Sequence, residues 1–188
     1  PHFKMDSMKT LRQLARPGDY MTSIDLRHAY MHCPLHDAYR QLHRFRHLDP
    51  DSGLPQSFEF SAMTFGLNCS PRIFTRLLRP VCSFLRRRYS IRLVCYLDDI
   101  AILGDSPARC SRDTAIVAEC LRSLGFLLHT DKSELHPAQH GRTFLGLEPD
   151  FRAEHMCLRL PIKKRRDIRR GCLRLLSLAS ASLLSARS

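Results

Sequence analysis

No two of the eight cysteines, at 33, 69, 82, 95, 110, 120, 157 and 172, lie closer than ten positions, so the chain has no C-x-x-C. Several sit in apolar runs, Val81-Cys82 and Val94-Cys95-Tyr96, where a free cysteine behaves as a small hydrophobe. This pattern excludes a disulfide framework and places the chain in a reducing compartment, inside the cell in nucleus or cytoplasm and not secreted. No apolar run approaches the length of a membrane span, and no signal peptide opens the sequence. Internal repeats are absent. Asp49-Pro50-Asp51-Ser52-Gly53 could be mistaken for a metal loop, but nothing downstream completes a calcium site, and turn chemistry accounts for it. Acid is short: 18 Asp+Glu stand against 30 Lys+Arg, a formal charge of +12. That balance suits a phosphate-rich partner, though a basic ribosomal-type protein shares it and charge alone names no activity. The 188 residues suffice for one domain with a real core. They begin at Pro1, inside what reads as an ordered segment, so a piece cut at both ends is expected.

What is present alternates helix and strand signals. Residues 6 to 15 read as a short helix with Asp6 as N-cap, and 16 to 19 as a turn. A strand runs from Tyr20 and ends at Asp25. Strands over 39 to 47 and 57 to 62 form a hairpin around the 49–53 turn. Ser70-Pro71 caps and opens a helix with Ile73, Phe74, Leu77, Leu78, Val81, Cys82 and Leu85 on one face. Pro80 should kink it, and Arg86-Arg87-Arg88 suits its C-terminal dipole. Strands over 91 to 96 and 100 to 103 are separated by Leu97-Asp98-Asp99, a tight hairpin with two carboxylates at its tip. A helix over 112 to 124 stops at Gly125. Short strands follow at 126 to 129, 143 to 148 and 155 to 160, before Pro161 opens a very basic helix. The last ten residues, rich in Ser and Ala, are low in complexity.

The chemistry-bearing residues are the aspartates at strand ends. Asp25 closes one strand, and Asp98 and Asp99 cap the central hairpin; if the strands are neighbours, three carboxylates converge on one edge. Unpaired, they repel and raise one another's pKa, which divalent cations relieve. All-oxygen ligation with few protein groups suits Mg²⁺, and two such ions can clamp the attacking and leaving oxygens of an in-line phosphoryl transfer. Taken alone, Asp98-Asp99 reads better as a pair of turn aspartates, since Asp is common in turns.

The surroundings change that weighting. Ser23-Ile24-Asp25-Leu26-Arg27-His28-Ala29-Tyr30 resembles the first catalytic motif of reverse transcriptases, and Met63 to Phe74 resembles the second. Tyr96-Leu97-Asp98-Asp99 matches the Y-x-D-D signature. Leu124-Gly125-Phe126 with Asp131-Lys132 looks like the fourth motif, and Phe144-Leu145-Gly146 like the fifth, the primer grip. Y-x-D-D alone is weak, but five motifs in order, each on the expected element, are specific. The resemblance runs from about residue 3 to about residue 176. Its wording at Phe65-Gly66-Leu67, Leu78 to Val81 and 160 to 170 is most like LTR and DIRS-type tyrosine-recombinase retrotransposons.

The resemblance implies an α+β polymerase palm: a small antiparallel sheet with helices on one face and partial fingers over 1–160, and the start of a thumb over 161–188. It implies that Asp25 and Asp98 bridge two Mg²⁺ ions (or Mn²⁺), that Asp99 supports them, and that the Leu26 carbonyl completes a shell. Tyr30 would floor the sugar pocket and exclude a ribose 2′-OH. Phe65 and Gly66 would line the nucleotide; Phe65 stands where retroviral enzymes carry a polar residue, so polar contacts there are not carried over. Lys132 would stand by the leaving pyrophosphate as proton donor, and Phe144, Leu145 and Gly146 would hold the primer. The partners implied are an RNA or DNA template, a DNA primer and dNTP, with no membrane. Missing fingers, thumb and any ribonuclease H are assigned to a parent polyprotein, so the piece alone is expected to be inactive.

Each role has a plainer alternative: Tyr30 as a core aromatic, Lys132 as a turn lysine, Phe144 as strand core. His28, His32, Cys33 and His36 form a tempting cluster, but zinc needs four ligands converging tetrahedrally and this segment overlaps the first motif. Lys163 to Arg170 resembles a nuclear-localisation run; the resemblance makes it a thumb helix tracking a duplex backbone. The rival functions are a decayed remnant that only binds nucleic acid and an RNA-templated RNA polymerase, against which Tyr30 argues.

Overall fold

The computed structural model describes residues 4–185; Pro1 to Phe3 and the last three residues of the expected thumb segment lie outside the described residues. Helix α1 spans Met8–Leu14 and is capped by Ser7, whose N–H donates to Thr10 Oγ1 at 3.1 Å. Asp6 is not the cap. Its carboxylate pairs with Arg86 and accepts the Cys95 N–H at 3.1 Å, a tertiary use that outweighs the local one. Strand β1 is Tyr20–Asp25, ending at Asp25 as the alternation predicts. A 3₁₀ turn, Ala29–His32, follows.

The strand predicted over 39 to 47 is helical in its first half: α2 covers Asp37–Arg40 and a second 3₁₀ turn Gln41–His43. His36 Nδ1 accepts the Ala38 N–H at 3.3 Å, and Asp37 pairs with Arg40 one turn on at 2.9 Å, local contacts that favour a helical start. The hairpin is shorter than predicted, β2 Arg44–Leu48 with β3 Pro55–Glu59, and every residue of both strands is exposed. Asp49 accepts from the Ser52 hydroxyl at 2.6 Å and from the Asp51 N–H at 3.3 Å, so its carboxylate is used by the turn itself.

Helix α3 runs from Ser70 to Tyr89, through Pro80, and ends on Arg86, Arg87 and Arg88. Cys69, not Ser70, is its N-cap; the Ser70 side chain is buried and donates to the Thr64 carbonyl at 3.0 Å. The hairpin β4 Arg92–Tyr96 and β5 Asp99–Gly104 turns over Leu97 and Asp98. Helix α4, Pro107–Ser123, starts five residues earlier than predicted, because Ser106 caps the Arg109 N–H at 3.3 Å and Pro107 opens the helix.

The stretch 126 to 129 forms a single bridge, Leu128 to Leu26, rather than a strand. The strand that does form is β6, Glu134–Ala138, which contains Pro137 and lies at the sheet edge, where a missing N–H costs least. Residues 143 to 148 likewise give one bridge, Phe144 to Leu147, and the pairing passes to β7 Glu148–Asp150 and β8 Cys157–Arg159. Helix α5, Ile162–Ser185, is the predicted basic helix.

The principal sheet has the order β4-β5-β1-β6, antiparallel throughout. Side chains alternate between its faces. Ile24, Leu93, Ile100 and Ile102 meet Phe74, Leu78, Cys82 and Leu85 of α3 and Val117 and Leu121 of α4. Each fully buried aliphatic or aromatic side chain here contributes roughly 1.5–3 kcal/mol. Met21, Val94, Ala101 and Leu103 face the other way, under Leu11, Phe144 and Phe151. Asp19, 1% exposed, ties β1 to β4 by a two-pronged pair with Arg92 at 2.5 and 2.6 Å. The architecture is α+β, with α3 and α4 on one face of the sheet.

Candidate active site

The register of β1 and β5 places Asp25 directly opposite Asp99, and that of β4 and β5 places Tyr96 opposite Asp99. Directly opposed Cα atoms are about 4.5–5.5 Å apart, and their side chains leave on the same face. Counting in twos from Met21 and Leu103, Asp25 and Asp99 point away from α3 and α4. Asp98 sits in the turn between the strands, after Leu97, which takes φ +54°. The Leu26 N–H donates to the Asp98 carbonyl at 2.9 Å, so the strand end is stitched to the hairpin tip. N–H and C=O of one strand residue leave on the same edge, which puts the Leu26 carbonyl on the Asp98 side.

The other edge of the β1 end is held by the segment after α4. Arg27 N–H bonds Leu127 O at 2.8 Å, His129 N–H bonds Asp25 O at 2.8 Å, and Asp25 N–H bonds Ser133 Oγ at 3.1 Å. These contacts carry His129 and Lys132 to the acids. A cleft of ≈ 420 Å³ opens there, lined on one side by Asp25, Leu26, Phe65 and Asp98 and on the other by His129 and Lys132.

The electrostatics agree with crowded carboxylates. Burial, then Asp98, raises the Asp25 pKa, while Lys132 and His129 pull it back. Burial, then Asp98 and Asp25, pushes Asp99 up to about 6. Tyr30 is raised by burial and then by Asp98, which places its phenol within the field of the hairpin. Among the described residues no three His, Cys, Asp or Glu side chains stand at metal-holding spacing, while the register keeps Asp25 and Asp99 on one edge of the sheet. A donor set of carboxylates and a backbone carbonyl gathered on one edge is chemically fitted to a hard divalent cation.

Of the residues singled out from sequence, Asp25, Leu26, Phe65, Asp98 and Lys132 line the cleft. Asp99 lies behind it in the strand pair. Tyr30 is buried beneath, its ring 5.0 Å from Phe65 and 5.8 Å from Phe74. Gly66 continues the exposed Phe65 turn. Phe144 is 2% exposed, packed under the sheet on the aspartates' face, and Leu145-Gly146 turns the chain between Phe144 and Leu147, both at positive φ. Sequence reading did not assign Arg27, His28 or His129 to the cleft. His129 was detectable: it lies one turn before Ser133 and beside the D-K pair, and Ser133 N–H bonds its carbonyl at 3.0 Å. His32, one of the zinc decoys, does a structural job instead, accepting the Leu127 N–H on Nε2 at 3.0 Å.

Residues 1–148 match the family model "Reverse transcriptase (RNA-dependent DNA polymerase)". The chain belongs to the reverse transcriptase family. Reverse transcriptases depend in general on a divalent metal. Among relatives, the Gag-Pol polyprotein of avian reticuloendotheliosis virus is 28% identical over 141 residues, 74% of this chain and 12% of the polyprotein. That of feline leukemia virus is 26% identical over 117 residues, 62% of this chain and 7% of the polyprotein. Protein P of duck hepatitis B virus (strain United States/DHBV-16) is 25% identical over 150 residues, covering 80% and 17%. The chain thus spans less than a fifth of these relatives' length. A foamy viral protease-reverse transcriptase, solved in complex with RNA/DNA hybrid, shares the fold at a TM-score of 0.67 and 21% identity, over 89% of this chain and 20% of that one.

Proposed function

We propose that this chain is the palm of an RNA-directed DNA polymerase, with part of the fingers over 1–160 and the first thumb helix over 161–188, adding dNTPs to a primer 3′-OH on an RNA or DNA template. The observation that carries the reading is the register pairing of Asp25 with Asp99, with Asp98 on the adjoining turn, at the mouth of a cleft bordered by Lys132 and His129. Asp25, Asp98, Asp99 and the Leu26 carbonyl are the residues to hold two Mg²⁺, with Mn²⁺ as substitute. When bound, such ions supply Lewis-acid charge to the attacking and leaving oxygens of in-line phosphoryl transfer. Lys132, exposed on the cleft rim, is placed to donate a proton toward departing pyrophosphate. Phe65, 64% exposed over Tyr30, offers a face for the incoming nucleotide, with Gly66 keeping the turn open. The Phe144-Leu145-Gly146 turn is positioned for the primer backbone, and the exposed basic face of α5 for the duplex. The free cysteines support residence inside the cell, in cytoplasm or nucleus.

Asp98→Asn tests this in the polypeptide that carries the chain. It should lower dNTP incorporation roughly 10³-fold, the several kcal/mol that metal charge supplies, and weaken Mn²⁺ binding followed by paramagnetic resonance. Primer–template affinity should stay within about twofold, since the basic contacts remain. Parallel loss of affinity and incorporation would make the hairpin structural and leave only a nucleic-acid binder.

A further inference from the structure

A second cleft, ≈ 310 Å³, opens at the free edge of β4, between the N-terminal segment and α3, and two cysteines line it. Cys95 alternates with Val94 and Tyr96, so its thiol leaves β4 on the helix side. Cys82 belongs to the buried α3 stripe of Phe74, Leu78 and Leu85 that faces this side. The two residues line this one cleft from facing elements and belong to the same packed cluster, within each other's electrostatic reach. Arg86 lies one helical turn beyond Cys82, its guanidinium bonded to the Leu93 carbonyl at 3.0 Å and paired with Asp6, which also accepts the Cys95 N–H. The pair thus shares one cleft, is fixed from three elements, and is open to a small solute through that cleft.

We propose that Cys82 and Cys95 form a peroxide-reactive dithiol, a reversible oxidation site beneath the hairpin that carries Asp98 and Asp99. The two thiols are differentiated for it. The neighbouring Cys95 thiol, aided by the Arg86 charge, holds the Cys82 pKa below the ordinary thiol value. The Cys82 neighbour and burial push Cys95 well above it. Cys82 is then the attacking thiolate and Cys95 the resolving thiol. In the first step the Cys82 sulfur attacks one oxygen of hydrogen peroxide; the O–O bond breaks, leaving a sulfenic acid and hydroxide. In the second the Cys95 sulfur attacks the Cys82 sulfur; the S–O bond breaks, and the Cys95 proton leaves with that oxygen. Two thiols and one peroxide give one disulfide and two waters. Oxidation also removes the Cys95 S–H that reaches the Leu97 carbonyl at 3.7 Å, a contact inside the hairpin turn.

The full chain, treated briefly with equimolar hydrogen peroxide, alkylated, digested and weighed, tests this without any variant. The expected result is a joined Cys82–Cys95 peptide pair about 2 Da lighter than the two reduced peptides, a loss of two hydrogens, restored by dithiothreitol. The exposed Cys157 and Cys172 should remain alkylatable, as internal controls. In Cys95→Ser, with no resolving thiol, dimedone should label Cys82. Oxidation at Cys157 or Cys172 with Cys82 left free overturns the proposal. So does a link from Cys82 to Cys120 of α4, which also feels the Cys82 charge.

Discussion

Tyr30 is packed between Phe65 and Phe74, a core ring beside the cleft-lining Phe65, and its proposed second role is to floor the sugar pocket. The two roles separate by substitution. Tyr30→Phe keeps the ring and should leave both melting and sugar choice unchanged. Tyr30→Val removes the ring that would clash with a ribose 2′-OH. The ratio of kcat/KM for dCTP over rCTP should then fall about 10- to 200-fold, the range a pocket contact of this size commands. An unchanged ratio in a folded, active Val variant would return Tyr30 to the core alone. Asp99 yields a prediction about stability. Its folded-state pKa is raised from 3.8 to about 6, so the native state holds this proton to higher pH than the unfolded chain does. Its contribution is fully present below about pH 4 and is lost as pH rises through about 6. In divalent-free buffer Asp99→Asn should therefore stabilise the chain by about 1–2 kcal/mol at pH 7.5, allowing for partial exposure, and by nothing near pH 4. Urea titrations at both values check it; a destabilised variant at pH 7.5 would contradict it.

At the scale of elements, the junction of β5 and α4 sets the sheet against its helix. A Cβ on Gly104 would meet the Cys110 backbone at 2.6–2.7 Å, so no side chain fits. Just beyond, Thr22 and Thr114 share a buried hydrogen bond of 2.6 Å that pins α4 to β1. Gly104→Ala should cost about 1–3 kcal/mol of unfolding free energy, as overpacking does, read from the urea midpoint. The sequence already disclosed β1, α3, the β4–β5 hairpin and α5, because each carries a long period or a strong punctuator. It also located the three aspartates at the strand end and hairpin tip, since that needs only the strands to be placed. It misplaced the pieces whose pairing is decided at a distance. Leu128 and Phe144 have strand-like neighbours yet make single bridges, while β6 pairs despite Pro137 because β1 offers it an edge. Arg27 entered the cleft by a backbone bond to Leu127, about a hundred residues away, which no local pattern records, whereas His129 stood close to the legible Asp131-Lys132.

For the molecule as a whole, the excess of base has a place. Helix α5 is exposed along its basic run, and Lys164 Nζ lies 3.5 Å from where a Cβ on Gly146 would stand, so the helix passes close to the turn after Phe144. Duplex binding should weaken with salt, and Lys163, Lys164 and Arg166 replaced together by Ala should flatten the slope of log K against log[salt] by about 0.9 for each phosphate no longer neutralised. A slope equal to that of the parent would leave α5 off the duplex. The antiparallel pairing of Asp25 with Asp99 has a consequence for which lengths of chain can be tolerated. Strand side chains obey parity. One residue inserted between Tyr20 and Asp25 would turn the carboxylate onto the face of α3 and α4, whereas two would return it to the open face a step along the strand. Deep insertion libraries through this segment should show an odd–even rhythm in surviving activity, and the exposed loop between β2 and β3 should show none.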